Sequence, residues 1–281
     1  MKKLLIPVAA ICILASCGGS KENPEARRLL TDATEAFRSG NYTQSTMLLD
    51  SLQKGFPEDI AIQREALALR PQVIEQIALA KIASVDSMSQ ADRAIMEQLK
   101  PTLKWVKTPG MIEGYWTDAK SYNPNFMNST GIEARVSEIG QFYIVSSANP
   151  SSIKHTSITL SLGGKSATTP VVPYDGESNY RIGGGEVITF SPEQSDTIGA
   201  VAAEVLSTTT APKGVSLTLN GEKGNKSVKL SDAQARGIVS AYLYSKALIR
   251  ARDNEVERQR LERTIEIAKR QAASAAAKSG E

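Results

Sequence analysis

The spacing of apolar residues changes twice along this chain, and those changes restrict it to a mixed architecture. Up to about Leu99, apolar side chains recur every three or four positions, the period of a helix. From Met111 to Leu230 they begin to alternate, and Gly, Ser and Thr become frequent; from Ser231 the helical spacing returns. Helical runs on either side of a run of strands argue an α+β fold, with helices segregated from an antiparallel sheet. The expected layout is a set of N-terminal helical hairpins over 24–100, a β-rich module over 110–230, and a long C-terminal helix over 231–281. About eight strands at this spacing would form a sandwich or a strongly curled sheet.

The first residues are read apart from the fold. Met1-Lys2-Lys3 is a basic start, and Leu4 to Leu14 is an apolar stretch broken only by Pro7. A membrane-crossing helix needs about 20 apolar residues, so this stretch has the length of a secretory signal core instead. It ends Leu14-Ala15-Ser16-Cys17, followed by Gly18-Gly19. This resembles the lipobox of bacterial lipoproteins, which implies removal of 1–16 and lipidation of Cys17, with 17–23 as a tether. The resemblance implies a diacylglycerol and usually a further acyl chain such as palmitate. One acyl chain binds a bilayer only marginally, and two or more hold it stably. Gly18 stands where an aspartate would signal inner-membrane retention, so the outer membrane is favoured, with both its periplasmic face and the cell surface open. The chain has 2 cysteines, and Cys12 leaves with the signal, so the mature body has no disulfide to rely on.

In the helical region, Asn23-Pro24-Glu25 is an N-cap, a first-turn proline and an acidic residue placed for the helix dipole. Leu29, Leu30, Ala33, Ala36 and Phe37 form the stripe of this helix, and Gly40 ends it. A second helix is expected over Thr43 to Lys54. The run Ala36-Phe37-Arg38-Ser39-Gly40-Asn41-Tyr42, with Leu48, Leu49 and Pro57, resembles a tetratricopeptide repeat. It covers one hairpin, whereas a solenoid needs roughly three units. Glu58 to Leu99 continues the helical spacing, with Pro71 expected to kink or divide it. At the other end, Ser231 to Gln234 reads as a capping box, and the charge-rich helix after Arg250 is expected to fray from Ala272.

Strands are expected at Ile112 to Trp116, Ala134 to Ser137, Phe142 to Val145, Ser157 to Leu162, Thr169 to Val172, Tyr180 to Ile182 and Glu186 to Phe190. A short helix fits Thr197 to Leu206. A last hairpin, Val215 to Leu219 with Ser227 to Leu230, is expected to turn at Asn220-Gly221. The stretch from His155 through Val172-Pro173-Tyr174-Asp175-Gly176 to Asn179-Tyr180-Arg181, with the leader and helical start, resembles envelope lipoproteins of Gram-negative gut bacteria. That resemblance bears on architecture and not on chemistry.

Chemical groups are few. Lys plus Arg at 33 against Asp plus Glu at 30 gives a net charge of +3, too small for a nucleic-acid partner. His155 is the single histidine, without companions for a zinc shell. No Gly-x-Ser-x-Gly elbow marks a nucleophile for a Ser-His-acid triad. Gly183-Gly184-Gly185 lacks the lysine of a phosphate loop and reads as a hairpin tip, and Asp175-Gly176-Glu177 reads as a turn. The expectation is therefore a lipid-anchored envelope protein, not an enzyme, with no cofactor and no metal. It would bind or scaffold a protein or glycan partner, and Tyr115, Trp116, Tyr174 and Tyr180 are the candidate partner-binding aromatics. The alternative is an envelope hydrolase acting on glycan or peptidoglycan through paired carboxylates among Glu113, Asp118 and Glu133.

Overall fold

The structure is a computed structural model that describes residues 22–208 and 214–279; the expected signal segment 1–16 and the expected lipidation site Cys17 lie outside the described residues. No helix among the described residues is long and apolar enough to cross a membrane. The fold is α+β, with five α-helices and two antiparallel sheets among the described residues. The chain divides into two compact units, residues up to Lys81 together with those from Leu261, and Ile82–Arg260.

The first unit is built on the expected hairpin. The Asn23 side chain accepts from the Glu25 N–H at 2.9 Å and opens α1 (Pro24–Arg38), and Gly40, at φ +80°, turns the chain into α2 (Tyr42–Gly55). Phe37 and Tyr42 meet across the turn with ring centroids 5.8 Å apart. The Ser45 hydroxyl, fully buried, donates to the Ala33 carbonyl at 2.8 Å and joins the two helices. Leu30, Leu49 and Leu52 pack with Ile62, Ala66, Leu69 and Val73 from the start of α3 (Ile60–Leu99). Pro71 lies inside this helix and does not divide it. Proline's fixed φ is helical, and its cost is one missing hydrogen bond and a local clash, here outweighed by burial of Leu69, Pro71 and Val73. The final part of α5 (Asp232–Ser279) also belongs to this unit, with Leu261 and Ala268 buried. Its backbone is helical to Ser279, past the Ala272 at which fraying is expected.

Among the described residues the second unit holds ten strands. One sheet has the order β1-β2-β3-β4-β8-β7, and the other β10-β9-β5-β6. The strands are β1 (Leu103–Val106), β2 (Tyr115–Asp118), β3 (Gly131–Ser137), β4 (Phe142–Ala148), β5 (His155–Leu162), β6 (Lys165–Thr168), β7 (Asn179–Ile182), β8 (Gly185–Phe190), β9 (Ser216–Gly221) and β10 (Gly224–Lys229). One core unites both sheets: Ile144, Ile188 and Phe190 from the larger meet Ile158, Leu160, Leu217 and Leu219 from the smaller. Ile198 and Ala202 of α4 (Pro192–Thr208) and Ile238 and Ala241 of α5 complete it.

Five expectations need correction. β1 lies in the stretch expected to link the regions, and Ile112 to Gly114 precedes its partner strand and is not part of it. β6 occupies Lys165–Thr168, because Gly163 and Gly164, both at positive φ, make a two-residue turn that starts pairing at once. The last hairpin turns at Glu222 and Lys223, with Gly221 inside β9. Gly221 is glycine for another reason: a Cβ there would lie 2.3 Å from the Ile153 carbonyl oxygen. Finally, α4 starts at Pro192, where Ser191 and Gln194 cap it reciprocally. The Ser231–Gln234 box forms in the same way at the head of α5.

Candidate functional site

The chain's one histidine sits at the junction of the two sheets. A bulge in the β5–β9 pairing falls between His155 and Ser157, next to Lys154 at φ +56°. Glu186, on the core-facing phase of β8, holds this bulge. Its two carboxylate oxygens accept the backbone N–H groups of Lys154 and His155, each at 2.7 Å, and Oε2 accepts His155 Nδ1 at 2.9 Å. Because Nδ1 must carry the proton for that bond, Nε2 is the acceptor, and it receives the Ser146 hydroxyl at 2.9 Å. Ser146, His155 and Glu186 thus form the hydrogen-bond chain of a Ser-His-acid triad. The surroundings differ from a catalytic one: the three residues are 0%, 0% and 1% exposed. Burial pushes the imidazole below its ordinary value against the pull of Glu186, so His155 is neutral. Burial alone would raise the Glu186 carboxyl, but the His155 and Lys154 N–H groups more than offset it and hold it low. No spacing in the sequence joins positions 146, 155 and 186. The available signal was a charged residue in the inward phase of the Glu186-Ile188-Phe190 alternation.

The opposite face of the six-stranded sheet carries a second polar cluster. Arg135 Nη2 and Nε lie 2.6 and 2.8 Å from Glu133 Oε2, and the Tyr115 hydroxyl donates to the same oxygen at 3.2 Å. The guanidinium stacks over Tyr115 at 4.0 Å and lies 5.9 Å from the Phe126 ring. Burial raises the Tyr115, Tyr143 and Tyr180 phenols, and the Arg135 charge works against that rise at all three. Two of the candidate aromatics, Tyr115 and Tyr180, are therefore brought together around an internal cation. Glu133 Oε1 is buried without a partner, while Phe126, Val145 and Val187 pack beside the cluster.

The other two candidates lie apart. Trp116 stands opposite Trp105 in the β1–β2 ladder, with centroids 5.0 Å apart, and the Lys100 ammonium sits 3.2 Å above its ring. Trp105 is 36% exposed and covers Gly114 closely. Tyr174, in the connection between β6 and β7, is 63% exposed with Arg181 at 5.0 Å over its ring. The four do not make one patch.

Nor do the carboxylates of the hydrolase alternative form an open pair. Glu133 faces Arg135, whereas Asp118 has the opposite phase on its strand and accepts the N–H groups of Lys120 and Ser121 at 3.0 and 2.9 Å. A Cβ on Gly237 of α5 would approach Asp118 Cβ to 3.1 Å, so that carboxylate sits under the helix. Glu113 is exposed on the approach to β2. Among the described residues no group of three or more His, Cys, Asp and Glu side chains converges as a metal site would need. Two open depressions of about 330 and 360 Å³ lie on α2 and α3, and none of these side chains lines either. Comparisons with protein-family models, with curated proteins and with solved structures give no match to this chain.

Proposed function

We propose that this is a lipid-anchored protein of the cell envelope, favouring the outer membrane, that binds or scaffolds a protein or glycan partner and performs no chemistry on it. The observation that carries the binding role is where the aromatic surface lies. Trp105 at a sheet edge and Tyr174 in a long connection stay open to solvent, each in a region that also carries cations. Aromatic side chains and cations are the groups that dominate contact energy at interfaces. The reactive constellation supports the same reading, because Ser146, His155 and Glu186 are buried and bonded to one another, with Glu186 engaged in holding a bulge. The anchor rests on the lipobox-like Leu14 to Cys17.

The test places a photo-reactive side chain at position 174 in the full chain expressed in a Gram-negative host. Discrete cross-linked species in the membrane fraction are expected, with acyl chains on Cys17 by mass spectrometry. An unacylated chain recovered in the cytosol, or a membrane-bound chain without any adduct, would overturn the corresponding half of the proposal.

A further inference from the structure

We propose that the free edge of β1 is a docking site for an extended acidic peptide segment, which adds to the six-stranded sheet as a further strand. This deepens the binding reading above and rests on it. β1 is an outermost strand, and among the described residues it pairs only with β2. The Ala119 N–H donates to the Thr102 carbonyl at 2.9 Å, which fixes the phase of the ladder. Positions 104 and 106 exchange hydrogen bonds with β2, so Leu103 and Trp105 direct their N–H and C=O groups away from it. The Leu103 N–H already donates to the Lys100 carbonyl where the chain turns into β1, so an added strand would pair with the Leu103 C=O and with the N–H and C=O of Trp105.

Charge selects the partner. Lys100, Lys104 and Lys107 run along this edge, and Lys120 lies in the turn after β2, all exposed. Asp118 is buried, Glu113 is exposed, and Glu138 reaches Lys107 at 3.6 Å. The Lys100 and Lys104 ammonium groups rest on the rings of Trp116 and Tyr122, at 3.2 and 4.2 Å. Lys100 also donates to the Tyr244 hydroxyl at 3.3 Å, whereas the Tyr122 face attracts the Lys104 ammonium without consuming its N–H donors as an oxygen would, so Lys104 remains able to bind a carboxylate.

Basic residues on edge strands also guard against aggregation, and the other three edges show that use. Lys226 of β10 donates to Thr130 Oγ1 and the Pro150 carbonyl, Lys165 of β6 pairs with Glu204, and Arg181 of β7 donates to Asn179. At β1 the lysines would repel a second copy of the same strand while attracting an acidic one. Only at this edge is a tryptophan exposed alongside the unpaired backbone groups, where it can cover a cross-strand neighbour.

The probe is the acetylated, amidated heptapeptide Glu-Thr-Glu-Thr-Glu-Thr-Glu, titrated into the full chain in detergent while Trp fluorescence is followed. Hyaluronan fragments serve as the anionic glycan control. Trp105→Pro removes one outward N–H without deleting a β1–β2 bond, and Trp105→Phe keeps it; Trp116 reports in both. Saturable binding is expected for wild type and Trp105→Phe, about tenfold weaker for Trp105→Pro. The exposed double variant Lys104→Glu, Lys107→Glu should also bind about tenfold more weakly, which keeps the test open if the proline variant misfolds. No saturable change in wild type, equal binding by the proline and phenylalanine variants, or hyaluronan binding as tightly as the peptide would each overturn strand addition. If adducts still form at position 174, the binding reading survives that failure.

Discussion

Replacing Glu186 with glutamine should destabilise the β-containing unit by roughly 4 kcal/mol. The carboxylate accepts three bonds, two of them from backbone N–H groups at 2.7 Å, inside a site that is 1% exposed. A glutamine amide offers one acceptor oxygen and one donor nitrogen in their place. Whichever way it is turned, a buried N–H meets another donor, and that loss costs about 2 kcal/mol. The bonds that remain lose their charge assistance, about 1 kcal/mol each. For a unit of this size, a melting temperature moves by about 2–4 °C per kcal/mol, so a fall of roughly 8–16 °C is expected. The assay is simple because the chain has 2 tryptophans, Trp105 and Trp116, both in this unit. Fluorescence-detected melting therefore follows it without a signal from the helical one. A melting temperature within 1 °C of wild type would refute the reasoning, since a solvated Glu186 would tolerate the change.

The same site makes stability depend on pH. His155 titrates below its ordinary 6.5 when folded, so the unfolded chain binds the extra proton first, and stability falls as pH drops below about 6.5. Glu186, held below 4.5, adds a second loss as pH falls through the carboxylate range. The tryptophan-monitored melt should therefore drop between pH 7 and pH 5, and His155→Gln should flatten that interval; a wild-type melt unchanged across it would contradict the assignment. Gly221→Ala drives a Cβ to within 2.3 Å of a backbone oxygen. It should cost about 2–3 kcal/mol, read in the same melt, and a neutral effect would show that the Ile153 loop yields freely.

Much of the architecture was legible because burial here follows simple periods. Phe142, Ile144 and Ala148 alternate into the core, and Gly183-Gly184 supply the positive φ that a two-residue turn needs. What escaped detection lacked that pattern. Leu103-Lys104-Trp105-Val106 has exposed residues at both central positions, as a short edge strand does, and prolines on either side disguised it as a linker. Lys165-Ser166-Ala167-Thr168 is another polar edge, identifiable only from the turn before it. The Ser191–Gln194 box at the head of α4 was visible in the residues, but the apolar spacing inside the helix drew the start downstream. Gly221 looked like a turn residue, although its reason is a backbone crossing from Ile153, remote in sequence. The polar clusters were least legible. Three strands must come together before Ser146, His155 and Glu186 meet, and alternation places Tyr115 and Trp116 on opposite faces without saying what each will touch.

If the protein works by contact alone, as proposed, its buried Ser146-His155-Glu186 chain stays sealed inside the fold. Reaction of the folded, full-length chain with a fluorophosphonate probe, followed by intact-mass measurement and peptide mapping, tests this most directly. The expected result is an unmodified Ser146 under conditions that label a control serine hydrolase to completion. A stoichiometric phosphonyl adduct on Ser146, lost in His155→Gln, would mean that the hydroxyl is reachable and activated, and the contact-only account would be wrong.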